Sequence, residues 1–228
     1  MFSNKNILVL GASGGIGEGI VSCFQNYNAS LITPTHSELN LEDEKSISNY
    51  FSNNTTSYDA VIYSAGINNP ADFESITTEQ LHHTLSVNTL GFVRVCQAVL
   101  PGMKQLGQGR IAVISSLYGV VSRKKRLPYA LSKHALIGVV QTLALELAQY
   151  NILINAISPG FINTKLTECN NSPERIRELI QDIPLGKLGS STDIGETAAF
   201  LCSEKNQYIT GQNIIVDGGI MAGGWQNE

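Results

Sequence analysis

Tyr129 and Lys133 stand four residues apart in the run Pro128-Tyr129-Ala130-Leu131-Ser132-Lys133. On a helix that spacing puts a phenol and an ammonium on one face. A phenol titrates at about 10 and is a poor base at neutral pH. A nearby cation favours its ionised form and brings it toward the range where it can both give and take a proton. Upstream, Gly11-Ala12-Ser13-Gly14-Gly15-Ile16-Gly17 lies between an apolar run, Asn6–Leu10, and an amphipathic stretch, Ile16–Tyr27. Glycines there allow a tight turn and a close backbone approach to a pyrophosphate, and the start of a helix offers free N–H groups and a favourable dipole. Each feature alone has an ordinary explanation: a plain turn, a packed tyrosine, a solvated lysine. Their combination, strand then glycine loop then helix with the Tyr–Lys pair downstream, points to a dinucleotide site coupled to proton transfer.

Alternating strands and helices must position these groups. Strands are predicted at Asn6–Leu10, Asp59–Ser64, Arg110–Ser115, Ile152–Ile157 and Asn213–Val216, and another begins with Ser30–Ile32. Helices are predicted at Ile16–Tyr27, Asp43–Phe51, near Thr192–Cys202, and as two long rods, Thr78–Leu106 and Pro128–Tyr150; Pro173–Ile180 reads as a polar stretch. Continuous apolar strands between helices imply a parallel sheet covered on both faces, and right-handed crossovers make it doubly wound. The fold class is therefore α/β, a three-layer, mostly parallel Rossmann-type sheet. One connection is shortened: Leu31–Thr35 is followed almost at once by Ser37–Leu41, too close for a parallel crossover of about a dozen residues. Either the sheet lacks one edge strand or Ser37–Leu41 passes the sheet end as extended chain; the favoured expectation is six strands with a frayed third edge, in a single domain over residues 1–228 with a substrate lid near 163–191.

The chain has 228 residues and a net charge of −4, which gives no general attraction to nucleic acid or to an anionic membrane. Cys23, Cys96, Cys169 and Cys202 are widely spaced, and the four histidines (His36, His82, His83, His134) have no ligand spacing, so no metal site is expected. The N-terminal apolar run is too short for a signal peptide, and no stretch approaches the roughly 20 apolar residues of a membrane span. A cytoplasmic location is expected.

The glycine spacing, G-x-x-x-G-x-G, resembles that of the short-chain dehydrogenase/reductase family, and the resemblance extends along nearly the whole chain. Tyr63-Ser64-Ala65-Gly66 is similar to the family's N-N-A-G element, Asn88 to its helix asparagine, and Ser115-Ser116 with Tyr129-x-x-x-Lys133 to its serine and Y-x-x-x-K elements. Pro159-Gly160-Phe161-Ile162-Asn163-Thr164 is similar to the P-G loop beside the nicotinamide, and Ile209–Gln212 and Val216–Gly219 resemble the C-terminal signature of its carbonyl reductases, among them the 3-oxoacyl-thioester reductases. The resemblance implies hydride transfer between NAD(P)(H) and a carbonyl/alcohol pair. It implies that Tyr129 is the general acid/base, that Lys133 holds the ribose hydroxyls, that Ser116 hydrogen-bonds the substrate oxygen, and that Asn88 holds a water linking Lys133 to solvent. Cofactor contacts are expected from Gly11, Ser13, Gly14, Gly15, Ile16, Gly17, Thr35, His36, Asn40, Leu41, Ser64, Ala65, Gly66, Tyr129, Lys133, Pro159, Gly160, Ile162 and Thr164.

The second strand ends Ile32-Thr33-Pro34-Thr35-His36-Ser37, with neither a carboxylate to select NAD nor a base to select NADP. Hydroxyls and His36 can host a 2′-phosphate, so the expectation leans to NADP(H), and Glu38 reverses it if the short turn points it inward. Arg123-Lys124-Lys125-Arg126, near the expected pocket rim, is either a solvated loop or a site for an anionic substrate. The expected partner is a small carbonyl or alcohol compound. Helices apolar on more than one face imply a homotetramer or homodimer. Two other readings compete: a sugar-nucleotide epimerase or dehydratase, which needs a larger C-terminal sugar-binding region, and a non-catalytic cofactor sensor, which ordinarily lacks part of the Asn88, Ser116, Tyr129, Lys133 set.

Overall fold

The run Asn-Ile-Leu-Val-Leu becomes strand β1 (Asn6–Leu10), and its alternating side chains feed two separate cores. Ile7 and Val9 face one layer and Leu8 and Leu10 the other, and all four are fully buried. A strand apolar on both faces has to be covered on both, and the sheet is. It is all parallel, in the order β2-β1-β3-β4-β5-β6, with β2 (Ser30–Ile32), β3 (Ala60–Tyr63), β4 (Gly109–Ile114), β5 (Ile152–Pro159) and β6 (Asn213–Val216). Ile7 pairs with Leu31 on one side and with Ala60 on the other, so the chain reverses direction across the sheet at β1 and β3. This computed structural model describes residues 1–54, 56–169 and 171–223; Asn170 of the expected lid and the last five residues of the expected domain lie outside them.

One layer holds α1 (Gly15–Asn26) and α8 (Ser191–Cys202). They pack closely because glycines face each other's neighbours: a Cβ at Gly195 would lie 2.6 Å from Cys23 Sγ, and one at Gly19 would lie 2.4 Å from Ser191 Cβ. The other layer holds α2 (Glu44–Asn53), α4 (Gly91–Leu106) and α5 (Leu127–Leu147), which bury Ile47, Phe92, Val95, Val99, Leu136, Val140 and Leu147 against the sheet. Burial of each such side chain contributes roughly 1.5–3 kcal/mol. Among the described residues no helix is long and apolar enough to cross a membrane.

Three expectations are corrected. Ser37–Leu41 is no strand, frayed or otherwise: the chain turns at His36–Glu38, Leu39 is buried, and Asn40 donates its N–H to Ser46 Oγ at 2.9 Å, leading directly into α2. The three-residue β2 is thus the edge of a sheet that lacks the outer strand altogether. The rod expected over Thr78–Leu106 is interrupted: α3 (Thr78–Leu85), opened by a Thr77–Gln80 capping box, passes through a π turn at Ser86–Leu90 into α4. Tyr63 reaches out of the sheet to donate its hydroxyl to Val87 O, and a Cβ at Gly91 would lie 2.6 Å from that hydroxyl, so the irregular turn is held by the sheet beneath it. The polar stretch after Pro173 is a helix, α7 (Pro173–Gln181), capped by Ser172 and preceded by the short α6 (Lys165–Cys169).

Candidate active site

The cleft opens at the carboxyl ends of β1 and β3, where strand order reverses and doubly wound folds hold their ligands. Gly11 follows β1 with φ +80°, and a Cβ on it would lie 2.5 Å from Ala65 N. A Cβ at Gly17 would lie 2.0 Å from Gly11 O, and one at Gly15 would lie 2.8 Å from the Thr164 side chain. Gly14 meets nothing nearer than Gly11 O at 3.5 Å and gives α1 no side-chain cap. The loop is a bare-backbone cradle at an uncapped helix start, which fits the pyrophosphate of a dinucleotide.

Two adjoining cavities share Gly14, Ser64, Gly66 and Ile67. The larger, about 400 Å³, is lined by Gly11, Ser13, Thr35, His36, Asn40, Leu41 and Ala65. The second, about 240 Å³, is lined by Gly15, Ile16, Gly17, Ser116, Tyr129, Lys133, Pro159, Gly160, Ile162 and Thr164. All the residues expected to contact the cofactor line one or the other. Asn88 lines neither and is fully buried beneath Gly66. Phe161 of the P-G loop also lines the second cavity, as do Ile67, Asn68, Leu117, Tyr118, Thr167 and Asn171, which the sequence does not single out. Tyr118, two residues past Ser116, had a signal in its proximity; Thr167 and Asn171 arrive on the α6–α7 segment and carry none.

Lys133 is 3% exposed, and its ammonium donates to Ile114 O at 2.7 Å, which leaves two N–H donors. Burial pulls its amine down from 10.5 to about 7. Its nitrogen lies 5.5 Å from the centre of the Tyr129 ring. The sequence reading expects that ammonium to lower the Tyr129 pKa; instead burial raises it, against opposing pulls from a Ser116 hydrogen bond and from Arg126. Lys133 meanwhile donates to a backbone carbonyl and not to the phenol. Ser116 Oγ also accepts the Tyr118 N–H at 3.1 Å, which fixes its side chain over the cavity. Asn88 accepts the Ile67 N–H at 2.8 Å and donates to Ile67 O at 3.0 Å and Ser132 Oγ at 2.9 Å. It ties the loop after β3 to the helix that carries Tyr129 and Lys133. A Cβ on Gly66 would lie 3.4 Å from both Asn88 Oδ1 and Lys133 Nζ.

At the far end, Glu38 does not turn inward. Its carboxylate accepts the Thr35 N–H at 2.7 Å and the Thr35 hydroxyl at 2.8 Å, and these bonds hold it below the usual carboxylate range. Thr35 and His36 line the cavity and Glu38 does not. The basic run divides. Arg123 and Arg126 line the catalytic cavity, while Lys124 is exposed and Lys125, at φ +67°, turns away to pair with Asp72 at 3.1 Å.

A doubly wound parallel sheet with a glycine cradle at its switch point, facing a tyrosine–lysine–serine group, defines a dinucleotide-dependent oxidoreductase. The sequence profile of the family described as Enoyl-(Acyl carrier protein) reductase matches residues 34–221. The chain is 33% identical to the oxidoreductase UcpA of Salmonella typhimurium, over 95% of this chain and 94% of the relative. It is 32% identical to the 3-oxoacyl-[acyl-carrier-protein] reductase FabG of Thermotoga maritima, over 95% and 98%. A solved structure from Beutenbergia cavernae, a proposed NAD(P)-dependent gluconate 5-dehydrogenase with bound NADP at low occupancy, superposes with a TM-score of 0.91 at 27% identity, over 96% of this chain and 98% of the other. The chain belongs to the short-chain dehydrogenase/reductase family. It is an NAD(P)-dependent oxidoreductase of carbonyl/alcohol pairs.

Proposed function

We propose that the chain reduces a small carbonyl compound, or oxidises the matching alcohol, with Tyr129 as general acid/base and NADP(H) as the preferred cofactor. The observation that carries this reading is the convergence of Ser116, Tyr129 and buried Lys133 on one cavity with the glycine cradle. The nicotinamide, when bound, supplies or accepts the hydride. A phenol is protonated at neutral pH and burial pushes Tyr129 further that way, so in reduction it has a proton to give to the carbonyl oxygen. The phenolate left behind draws on Lys133 and Ser116, and a proton returning through Lys133 restores it. In oxidation the phenolate takes the alcohol proton. Ser116 donates to the substrate oxygen as charge grows on it. Lys133, with two donors free of Ile114 O, is placed to hold ribose hydroxyls. Asn88 positions Ile67 and the helix face.

NADP(H) is supported by Thr35 and His36 lining the adenosine cavity, whose one carboxylate among the described lining residues, Glu42, is paired with His83, and by the NADP in the Beutenbergia cavernae relative. A homotetramer or homodimer is supported by apolar residues left in solvent on α5, Leu131 and Leu145. Free, buried Cys23, Cys96 and Cys202 suit a reducing, cytoplasmic setting, and the α6–α7 segment suits a lid within a single domain. No particular observation favours an epimerase, a dehydratase or a sensor.

Tyr129→Phe tests the assignment. With 2,3-butanedione and NADPH, kcat should fall by about 10²–10⁴, the range of a lost general acid. NADPH affinity, read by fluorescence titration, should stay within about threefold, because the ring still packs. A kcat within about tenfold of wild type, or about 1.4 kcal/mol of barrier, overturns it.

A further inference from the structure

Among the described residues the charged groups lining the catalytic cavity are Arg123, Arg126 and Lys133, with no aspartate or glutamate. Lys133 lies beneath the floor with a carbonyl partner; the arginines form the wall on the side of Tyr118 and Tyr129. Several cations elsewhere in the molecule are paired. Lys5, Arg94, Lys125, Arg175 and Arg177 each have a carboxylate within 4.0 Å. Arg110, half-buried on the opposite side, donates to three backbone carbonyls, Gly109 O, Asn151 O and Asn206 O. Arg123 and Arg126 have no carboxylate partner among the described residues. Each makes one bond to a neutral group: Arg126 Nη1 to Asn68 Oδ1 at 2.9 Å, and Arg123 Nη1 to Tyr118 Oη at 3.3 Å. A guanidinium carries five N–H donors, so each side chain keeps donors that no described residue takes up.

Those bonds tie each fork to the cavity wall. Asn68 belongs to the loop that Asn88 ties down through Ile67, and Tyr118 packs its ring edge-on to Tyr129 at 6.4 Å between centres. Two like charges held in a partly dry wall repel each other and lose hydration, and both costs fall when an anion sits between them. Burial accordingly pulls Arg126 below its ordinary pKa, with Arg123 adding to that pull.

We propose that Arg126 and Arg123 form a carboxylate-binding subsite, so that the substrate is a small oxo acid or hydroxy acid whose carbonyl or hydroxyl lies at Tyr129 and Ser116. This deepens the proposed reaction and rests on that cavity being its site. Planar forks bind carboxylates through paired N–H···O bonds, which a lysine cannot supply. The division of the basic run follows: the arginines are recognition groups, while Lys124 and Lys125 lie outside the cavity.

The test is calorimetric titration of the NADPH-loaded protein with 3-hydroxybutyrate and D-gluconate, each against its neutral counterpart, 1,3-butanediol and sorbitol. At least one carboxylate should bind ten or more times tighter than its counterpart. Arg126→Gln should remove most of that preference, and Arg126→Lys should restore only part of it. The Lys124→Gln/Lys125→Gln double variant should keep it. Melting curves and NADPH affinity report whether each variant is folded, and Arg123→Gln gives a second, independent removal. Absence of any carboxylate preference overturns the subsite, as does a preference untouched in both arginine variants. So does inorganic phosphate binding tighter than either carboxylate, which makes the ligand a phosphate ester. The two proposals separate cleanly. Carboxylate binding through Arg126 in a protein that turns over no carbonyl compound leaves the subsite standing without the reaction. Turnover of 2,3-butanedione without carboxylate preference does the reverse.

Discussion

At the catalytic end of the cleft, Lys133 and Asn88 are sealed from solvent and bonded to backbone groups of other elements: Ile114 O for the lysine, and Ile67 N–H and O for the asparagine. At the adenosine end, Thr35, His36 and Glu38 are exposed, and Glu38 is satisfied by Thr35, three residues away. One end is built from contacts distant in sequence, the other from a turn closed on itself. Long-range contacts hold geometry against thermal motion and couple it to the stability of the whole fold. A local turn can change its chemistry without disturbing the core. Substitutions should therefore be costly to both fold and function at the first end and should shift only preference at the second.

The largest effect is expected from Lys133→Met. Turnover should fall at least a hundredfold and NADPH affinity at least tenfold, read by steady-state kinetics and fluorescence titration; unchanged affinity removes the ribose role. The same variant has a stability signature. Burial lowers the amine from 10.5 to about 7. Between those values the unfolded chain holds a proton that the folded one has released, so this group's contribution to stability increases with pH across that window and is lost as pH falls toward 7. The Tm of wild type minus that of Lys133→Met, cofactor-free, should rise from pH 7 to 10. A flat difference means the amine is not desolvated.

Asn88→Ala comes next. It leaves the half-buried Ile67 N–H and carbonyl without their partner, at up to about 1–3 kcal/mol for each group that water does not reach. Tm should drop clearly, and kcat should fall more than KM rises, because Tyr129 and Lys133 lose their reference to the β3 loop. A fall in Tm with kcat intact makes Asn88 a purely structural residue. The smallest effect belongs to Glu38→Gln, which removes an exposed charge beside Thr35. The ratio of NADPH to NADH affinity should rise roughly two- to fivefold at low ionic strength and shrink with salt. A Tm change comparable to that of Asn88→Ala would erase the contrast between the two ends.

The same contrast governs what could be read from sequence. Tyr129 and Lys133 were legible because one helix carries both, and the glycine loop because strand, turn and helix are consecutive. The absent edge strand was legible in part: Leu31 and Ser37 are too close for a crossover, yet only the buried Leu39 shows that the segment dives into α2 rather than running along the sheet. The π turn was hidden because its cause is Tyr63, 24 residues away, holding Val87 O. The division of Arg123-Lys124-Lys125-Arg126 was hidden because it depends on the left-handed backbone at Lys125, and four consecutive bases give no hint of that.

The π turn at Ser86–Leu90 also acts as a phase shifter. Successive residues of an α-helix are about 100° apart around the axis, and a π turn amounts to one residue beyond the regular count. α3 and α4 are thus two rods set at different angular phases, each with its own apolar stripe, and the residue at their junction is Asn88. Deleting one residue between Ser86 and Leu90 would leave both stripes readable in the sequence and restore a regular helix. It would also rotate one rod against the other by about a quarter turn. Either α4 would lose its seat on the sheet or Asn88 would swing away from Ile67. Length in this five-residue stretch is therefore as constrained as the identity of any side chain in the cleft.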